Sequence, residues 1–236
     1  MWTFPEVLTG RYVRLEPLSL AHLPEFLKRY DPEVFRYMSR SPEGTEEAMR
    51  AHLEALLAEP GRVNWAIRPT PALLALRPFP GLVGRISVIA PDEANARLEL
   101  GTLIFKPFWG SPANKEAKYL LLAHAFEVLK AQRVQFKVDL RNERSQRALE
   151  ALGAVREGVL RRNQRLPDGG FRDDAVYKCP RFSFATWGAQ VWSLEGLFWG
   201  PRRSKSHGGV LSLLHEEWPG VKARLLARLY GPEGRP

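Results

Sequence analysis

The sequence contains little cysteine and little histidine, which limits its disulfide and metal chemistry. One cysteine, Cys179, occurs in 236 residues, so an internal disulfide cannot form. Its position at the end of a predicted strand favours a structural role over a nucleophilic one. The five histidines lie scattered at 22, 52, 124, 207 and 215, whereas zinc needs about four clustered ligands. We therefore expect no metal.

Long apolar runs are also missing. No stretch of about 18 apolar residues occurs, so no membrane-spanning helix is expected. Residues 1–6 do not show the basic segment followed by an apolar one that marks a signal peptide. We expect a cytoplasmic protein without a membrane partner.

The net charge is +9, while hydrophobic residues (44%) and charged residues (26%) occur in ordinary globular proportions. This charge fits either a basic surface without a specific partner or an affinity for phosphates, on a cofactor or on nucleic acid. RNA-binding sheets usually interleave aromatic and basic residues, and residues 1–180 show no such motif. The pattern favours a phosphate-bearing cofactor and argues against direct nucleic-acid binding.

Hydrophobic periodicity predicts alternating strands and helices. The predicted strands lie at 12–16, 63–68, 82–89, 97–105, 134–140, 156–166 and 171–178. The predicted helices lie at 19–30, 45–58, 114–130, 143–152 and 215–230. The proline-rich stretch 69–80 is interpreted as a loop. Alternation in the middle indicates a parallel βαβ pair, with antiparallel neighbours on both sides. The fold class is α/β, with an α+β-like mixed sheet flanked by helices.

The sequence changes character near Cys179, which predicts three parts. Residues 1–179 form the main domain, 180–212 are a basic, tryptophan-rich insertion, and 213–236 carry a C-terminal helix. Three interpretations of 180–212 remain open. In the first, the segment packs on the domain or on a second copy, which would make a homodimer. In the second, it is a platform for a substrate or partner, and in the third it lacks order and function.

A strand, a glycine turn and a helix start follow one another around residue 110. Ser111 is suited to cap the helix and Pro112 to open it. The first turn of a helix carries unpaired N–H groups and a partial positive charge, which suit a phosphate. An ordinary capped helix would show the same local pattern.

The motifs between Leu98 and Arg161 together resemble the acetyl-CoA site of the GNAT superfamily, and especially its RimJ/RimL-like branch. The matching pieces are Glu99-Leu100-Gly101, Trp109-Gly110, Glu116-Ala117, Asn142 with Ser145, and Leu152-Gly153-Ala154 with Glu157-Gly158. Their order makes the match specific, although each piece alone is weak, and it covers roughly residues 10 to 178. The resemblance implies the GNAT acyl-CoA N-acyltransferase fold, a central twisted mixed sheet flanked by helices. It also implies acetyl transfer from acetyl-CoA, used as co-substrate.

The resemblance also implies which residues bind acetyl-CoA. Backbone N–H groups in the turn and first helical residues would bind the pyrophosphate; these are Gly110, Ser111, Ala113, Asn114 and Lys115. The strand that contains Ile104 and Phe105 would separate from the next one, and the pantetheine arm would lie in the gap. Asn142 would hydrogen-bond that arm. Pro112 departs from the family pattern and removes one N–H donor, and Pro107 replaces a usual Arg or Gln.

Two residues are predicted to act in catalysis. A thioester is attacked by a neutral amine, so a carboxylate that takes the amine proton is needed, and the resemblance points to Glu99. Ser145 would lie near the sulfur, and the leaving thiolate would receive a proton from Ser145 or from a water. Each of these residues also has an alternative without a role in binding or catalysis. Glu99 would be a structural or surface carboxylate, Asn142 a helix cap and Ser145 an exposed helix residue.

The acceptor is predicted only by class. The RimJ/RimL resemblance suggests a protein N-terminal α-amine, and small amines remain open because fold does not determine substrate. Two other functions are kept as alternatives: a non-catalytic acyl-CoA-binding sensor, and a basic module associated with the ribosome or RNA.

Overall fold

The computed structural model describes residues 1–38, 40–166, 169–178 and 213–231. The predicted insertion 180–212, like Cys179, lies outside the described residues. Among the described residues, no helix is both long and apolar enough to cross a membrane.

One mixed sheet organises the described chain. Its strands are β1 (Leu8–Thr9), β2 (Val13–Pro17), β3 (Arg62–Pro69), β4 (Gly84–Asp92), β5 (Arg97–Ile104), β6 (Arg133–Asp139), β7 (Val155–Arg165), β8 (Phe171–Lys178) and β9 (Leu213–Leu214). They follow the order β1-β2-β3-β4-β5-β6-β8-β7, and β9 pairs with β6. The pair β5–β6 is parallel and the other pairs are antiparallel. The predicted mixed sheet with one central parallel pair is therefore confirmed.

Helices accompany the sheet. They are α1 (Leu23–Lys28), α2 (Pro32–Phe35), α3 (Glu46–Ala58), α4 (Pro71–Leu76), α5 (Ala113–Ala123), α6 (Glu143–Ala151) and α7 (Trp218–Tyr230). Local chemistry sets their starts, since the Thr45 hydroxyl accepts the Ala48 N–H at α3. After α6, Gly153 has a φ of +92°, a left-handed conformation that glycine adopts at helix ends.

Two predicted elements were wrong in part. The stretch 69–80 is not all loop, because α4 forms within it; Pro71 stands at its first turn, where a missing N–H costs nothing, and Leu73 is buried. The predicted helix 114–130 is α-helical only to Ala123 and continues as a π-helical turn, His124–Val128.

A buried carboxylate joins three elements. Glu116 of α5 is fully buried, and it accepts hydrogen bonds from the backbone N–H groups of Arg11, Tyr12 and Val13 at 2.7–2.9 Å. The Tyr230 hydroxyl of α7 donates to the same carboxylate. The N-terminal strand and the C-terminal helix are thus both tied to the helix that begins at the site.

Candidate active site

A wedge opens between the two central parallel strands. β5 and β6 pair only at Arg97–Arg133, Leu98–Val134 and Glu99–Gln135. Beyond that point β5 continues to pair with β4, and β6 pairs with β8. The facing backbone edges therefore diverge and leave hydrogen-bonding groups available to a ligand that lies between them.

A cavity of about 1310 Å³ includes this wedge. Six of the predicted site residues line it: Glu99, Ile104, Gly110, Asn114, Asn142 and Ser145. Four do not: Phe105, Ser111, Ala113 and Lys115. The structure thus brings together residues that lie up to 46 positions apart in sequence, from Glu99 to Ser145.

The turn before α5 uses two of the predicted N–H donors internally. Gly110 has a φ of +76°, which explains a glycine there. The Ser111 N–H donates to the Phe108 carbonyl at 3.2 Å. The Ala113 N–H donates to the Ser111 hydroxyl oxygen at 3.3 Å. The N-cap of α5 is Pro112 rather than the predicted Ser111, although the Ser111 hydroxyl accepts from the first helical residue. Neither of these two N–H groups is free.

The other three predicted donors are available. Within the described part of the chain, the N–H groups of Gly110, Asn114 and Lys115 donate to no carbonyl or side chain. They belong to the turn and first turn of an eleven-residue helix, where the helix dipole favours an anion. This arrangement fits a phosphate-bearing ligand despite Pro112.

Phe105 belongs to the core rather than to the cavity. Its side chain is fully buried and its ring packs edge-on against Phe26, with 5.3 Å between centroids. Its N–H donates to the Val83 carbonyl at 2.9 Å. The side chain of Phe105 thus contributes packing and does not line the cavity, and a contact of Phe105 with the cofactor stays a prediction.

Trp109 and Arg144 form part of the cavity wall. Trp109 belongs to a motif noted in the sequence, but neither residue was predicted as a site residue. The Trp109 indole N–H donates to the Ile104 carbonyl at 2.7 Å. The Arg144 guanidinium lies 3.1 Å from the centroid of the same ring, a cation–π arrangement. This stacking joins the loop before α5 to α6 across the wedge.

Lys118 is a buried lysine in the cavity wall. Its ammonium donates to the Asn114 side-chain oxygen, and burial lowers the pKa of Lys118 to about 7. Thr102, which lines the same cavity, has a buried hydroxyl without a partner among the described residues. Sequence patterns did not indicate Lys118, since a lysine on an amphipathic helix usually lies on the exposed face.

Glu99 is largely buried, with 14% of its side chain exposed. Its Oε2 lies 2.8 Å from the Lys137 ammonium and accepts the Gln135 side-chain amide at 3.0 Å. Glu99 is therefore not a surface carboxylate. Both contacts fall on the same oxygen, which leaves Oε1 for another partner.

Asn142 caps α6 and also lines the cavity. Its side-chain oxygen accepts the Ser145 N–H at 3.1 Å. The side-chain amide nitrogen remains for a ligand. Ser145 is half-buried, not exposed, and lines the same cavity.

A second group of cavity residues comes from α3, β3, β4 and the segment before α3. Glu59 pairs with Arg62 at 3.1 Å and with Arg40 at 3.4 Å. Burial, and then the nearby arginines, lower the pKa of His52 to about 4, so its imidazole is neutral at pH 7. The fifth member, Arg85, is buried. No local motif indicated these residues, because they come from separate elements.

Metal ligands do not cluster in the described part of the chain, where no group of three or more histidine, cysteine, aspartate or glutamate side chains could hold an ion.

Comparisons with known proteins show the family and the fold. The acetyltransferase (GNAT) domain profile matches residues 13–155. The "Uncharacterized N-acetyltransferase p20" of Bacillus licheniformis is 26% identical over 162 residues, 67% of this chain and 84% of that one. A solved acetyltransferase structure from T. thermophilus is 63% identical, covers 98% of this chain and 100% of its own, and has a TM-score of 0.78. Mycobacterium smegmatis RimJ in complex with CoA-disulfide is 18% identical over 72% of this chain and 85% of that one, with a TM-score of 0.58, a likeness of fold alone.

Proposed function

Since the chain belongs to the GNAT acetyltransferase family, we propose that it moves an acetyl group from acetyl-CoA to a primary amine by direct attack. The observation that carries the proposal is the wedge between β5 and β6, which opens beside the unpaired N–H groups at the start of α5. A phosphate site and a backbone-lined groove then lie in one cavity, as a CoA thioester requires.

The chain's own groups account for binding. The N–H groups of Gly110, Asn114 and Lys115 would bind the pyrophosphate, since anions are favoured at a helix start. The diverging backbone near Ile104 would pair with the pantetheine amides. The free amide of Asn142 would donate to the same arm.

The reaction needs an unprotonated amine. Lysine amines titrate near 10.4 and α-amines near 7.7–8.0, so an α-amine loses its proton more readily. Glu99 would take that proton through Oε1, directly or through a water. The neutral amine then attacks, the nitrogen–carbon bond forms and the carbon–sulfur bond breaks. The proton that the amine nitrogen loses after the attack would pass through Ser145 or a water to the departing thiolate, so that Ser145 ends protonated. Strand N–H groups would stabilise the oxyanion.

The acceptor is proposed to be an N-terminal α-amine, as in the RimJ/RimL-like branch. The lower pKa of α-amines supports this choice, and so does the resemblance of the site motifs to that branch. A non-catalytic sensor and an RNA-associated module are not favoured, because the cavity also contains a carboxylate positioned by two neighbours.

Two measurements test the proposal together. A thermal-shift titration with acetyl-CoA should raise the melting temperature, since a ligand at 100 times its Kd adds about 2.7 kcal/mol to folding stability. Mass spectrometry should then detect acetylation of peptides with free N-termini. No shift at millimolar acetyl-CoA would overturn cofactor binding, and a shift without transfer to peptides or small amines would support the sensor.

A further inference from the structure

Arg85 of β4 carries a buried charge that no carboxylate contacts within the described part of the chain. Its relative exposure is 3%, and it lines the cavity. One guanidinium nitrogen donates to the Ser87 hydroxyl at 3.3 Å, and Nε has no partner among the described residues. A guanidinium has five N–H donors, and a buried charge without a partner is strongly unfavourable.

The groups around Arg85 add positive charge. Arg62 also has a buried Nε without a partner in the described chain. Glu59 is the carboxylate beside them, and it is shared between Arg62 and Arg40. His52, which also lies there, is neutral at pH 7. Burial, followed by the charge of Arg62, lowers the pKa of Arg85 to about 10, which leaves its guanidinium charged at pH 7. Among the described residues of this group, three guanidinium charges therefore lie near one carboxylate.

Strand register connects Arg85 with the proposed reaction centre. Arg85 pairs with Leu103, Ser87 with Gly101, and Ile89 with Glu99. Residues two apart on a strand share a face, so Arg85 and Glu99 lie on the same face of the sheet. The rise along β4 from Arg85 to Ile89, the partner of Glu99, is about 14 Å, four residues at about 3.4 Å each. Arg85 and Glu99 both line one cavity.

We infer that Arg85, with Arg62 beside it, binds a carboxylate or phosphate on the acceptor amine. The identification of the ligand as the acceptor rests on the proposed function. The binding of an anion rests on the cavity alone. An anionic group there would supply the missing counter-charge and bidentate hydrogen bonds. The cavity would thereby select amines that carry an acidic group over neutral ones of equal size.

Matched substrate pairs test the selectivity. Acetylation of the peptide amide Ala-Asp-Ala-Ala is compared with that of Ala-Asn-Ala-Ala, and phosphoethanolamine with ethanolamine. In one of the two pairs, the wild type should show at least a tenfold higher kcat/KM for the anionic member. A preference in the peptide pair identifies a carboxylate as the group bound, and a preference in the ethanolamine pair identifies a phosphate. Arg85→Gln should abolish the preference, while Arg85→Lys should keep part of it.

Controls separate this inference from a general loss of the enzyme. Arg147→Gln removes an exposed arginine of α6 and should leave the preference intact. The KM for acetyl-CoA should stay unchanged in Arg85→Gln; a rise confined to that KM would instead place Arg85 at the cofactor and overturn the inference. Equal kcat/KM within both pairs would overturn it too, with the proposed function left standing.

A binding measurement covers the case in which no amine is acetylated. Calorimetric titration with succinate should show an anion site in the wild type that Arg85→Gln lacks. Titration with inorganic phosphate should show one site fewer in Arg85→Gln than in the wild type, because both proteins keep the N–H groups at the start of α5. That result without transfer would support the anion site and contradict the proposed function. Absence of both binding and transfer would overturn both. Arg85→Met replaces the buried charge by an apolar side chain and should have a raised melting temperature. It is the control that shows that a protein without the Arg85 charge still folds.

Discussion

At the scale of single residues, the Glu99 carboxylate can act as a base, and it also forms an ion pair with Lys137. We expect Glu99→Gln to lower kcat by roughly 10²- to 10⁴-fold, the usual contribution of a positioned base, with little change in the KM for acetyl-CoA. Steady-state kinetics with each substrate varied in turn measure both effects.

A matched change separates base catalysis from structure in that experiment. Lys137→Met removes the same ion pair and keeps the carboxylate. An equal loss of rate in Lys137→Met and Glu99→Gln would show that the pair acts only by holding the strands, and would remove Glu99 from proton transfer.

Lys118 makes stability depend on pH. Its pKa is about 7 when folded and near 10.4 when unfolded, so the unfolded state binds more protons between these values. Stability should therefore rise with pH across this window, by about 2 kcal/mol from pH 7 to 9. Lys118→Met should be more stable at pH 7 and should lack this rise. Urea denaturation at several pH values measures it, and parallel curves for the two proteins would contradict it.

At the scale of elements, the start of α6 combines a cap with a binding position. Asn142→Ala should lose about 1 kcal/mol of stability, the usual value of an N-cap, and should also raise the KM for acetyl-CoA several-fold. Thr45→Ala is the matched control, because it removes the cap of α3 away from the proposed CoA groove. Denaturation and steady-state kinetics on both variants measure the two effects, and an unchanged KM in Asn142→Ala would restrict Asn142 to capping.

At the scale of the whole molecule, Glu116 joins the start and the end of the described chain. Glu116→Ala would leave three backbone N–H groups and the Tyr230 hydroxyl without their acceptor, and each unsatisfied buried group costs about 1–3 kcal/mol. We expect a loss of at least roughly 3 kcal/mol on the same grounds, with Glu116→Gln losing less because one oxygen acceptor remains. Guanidinium denaturation measures this, and a loss under about 1 kcal/mol, the lower limit for one such group, would show that water replaces the carboxylate.

Local patterns were sufficient for much of the fold. The strand 97–105 and the helices 45–58 and 143–152 depend on neighbouring residues and were predicted to within one residue. α4 was missed because prolines indicate loops as readily as helix starts. The motifs from Glu99 to Ser145 predicted where the cavity lies, because the family they resemble has its strands and helices in this same order.

The sequence by itself determined the mixed sheet, the glycine turn before α5 and the family motifs, because these follow from periodicity, backbone freedom and order along the chain. Only the tertiary structure decided which N–H groups stay free, that Phe105 packs in the core, and that Lys118 and Arg85 are buried. Those properties depend on residues distant in sequence that fold against each position. The proposed acceptor selectivity is of this second kind, since the burial of Arg85 without a matching carboxylate among the described residues arises only when β3, β4 and α3 meet.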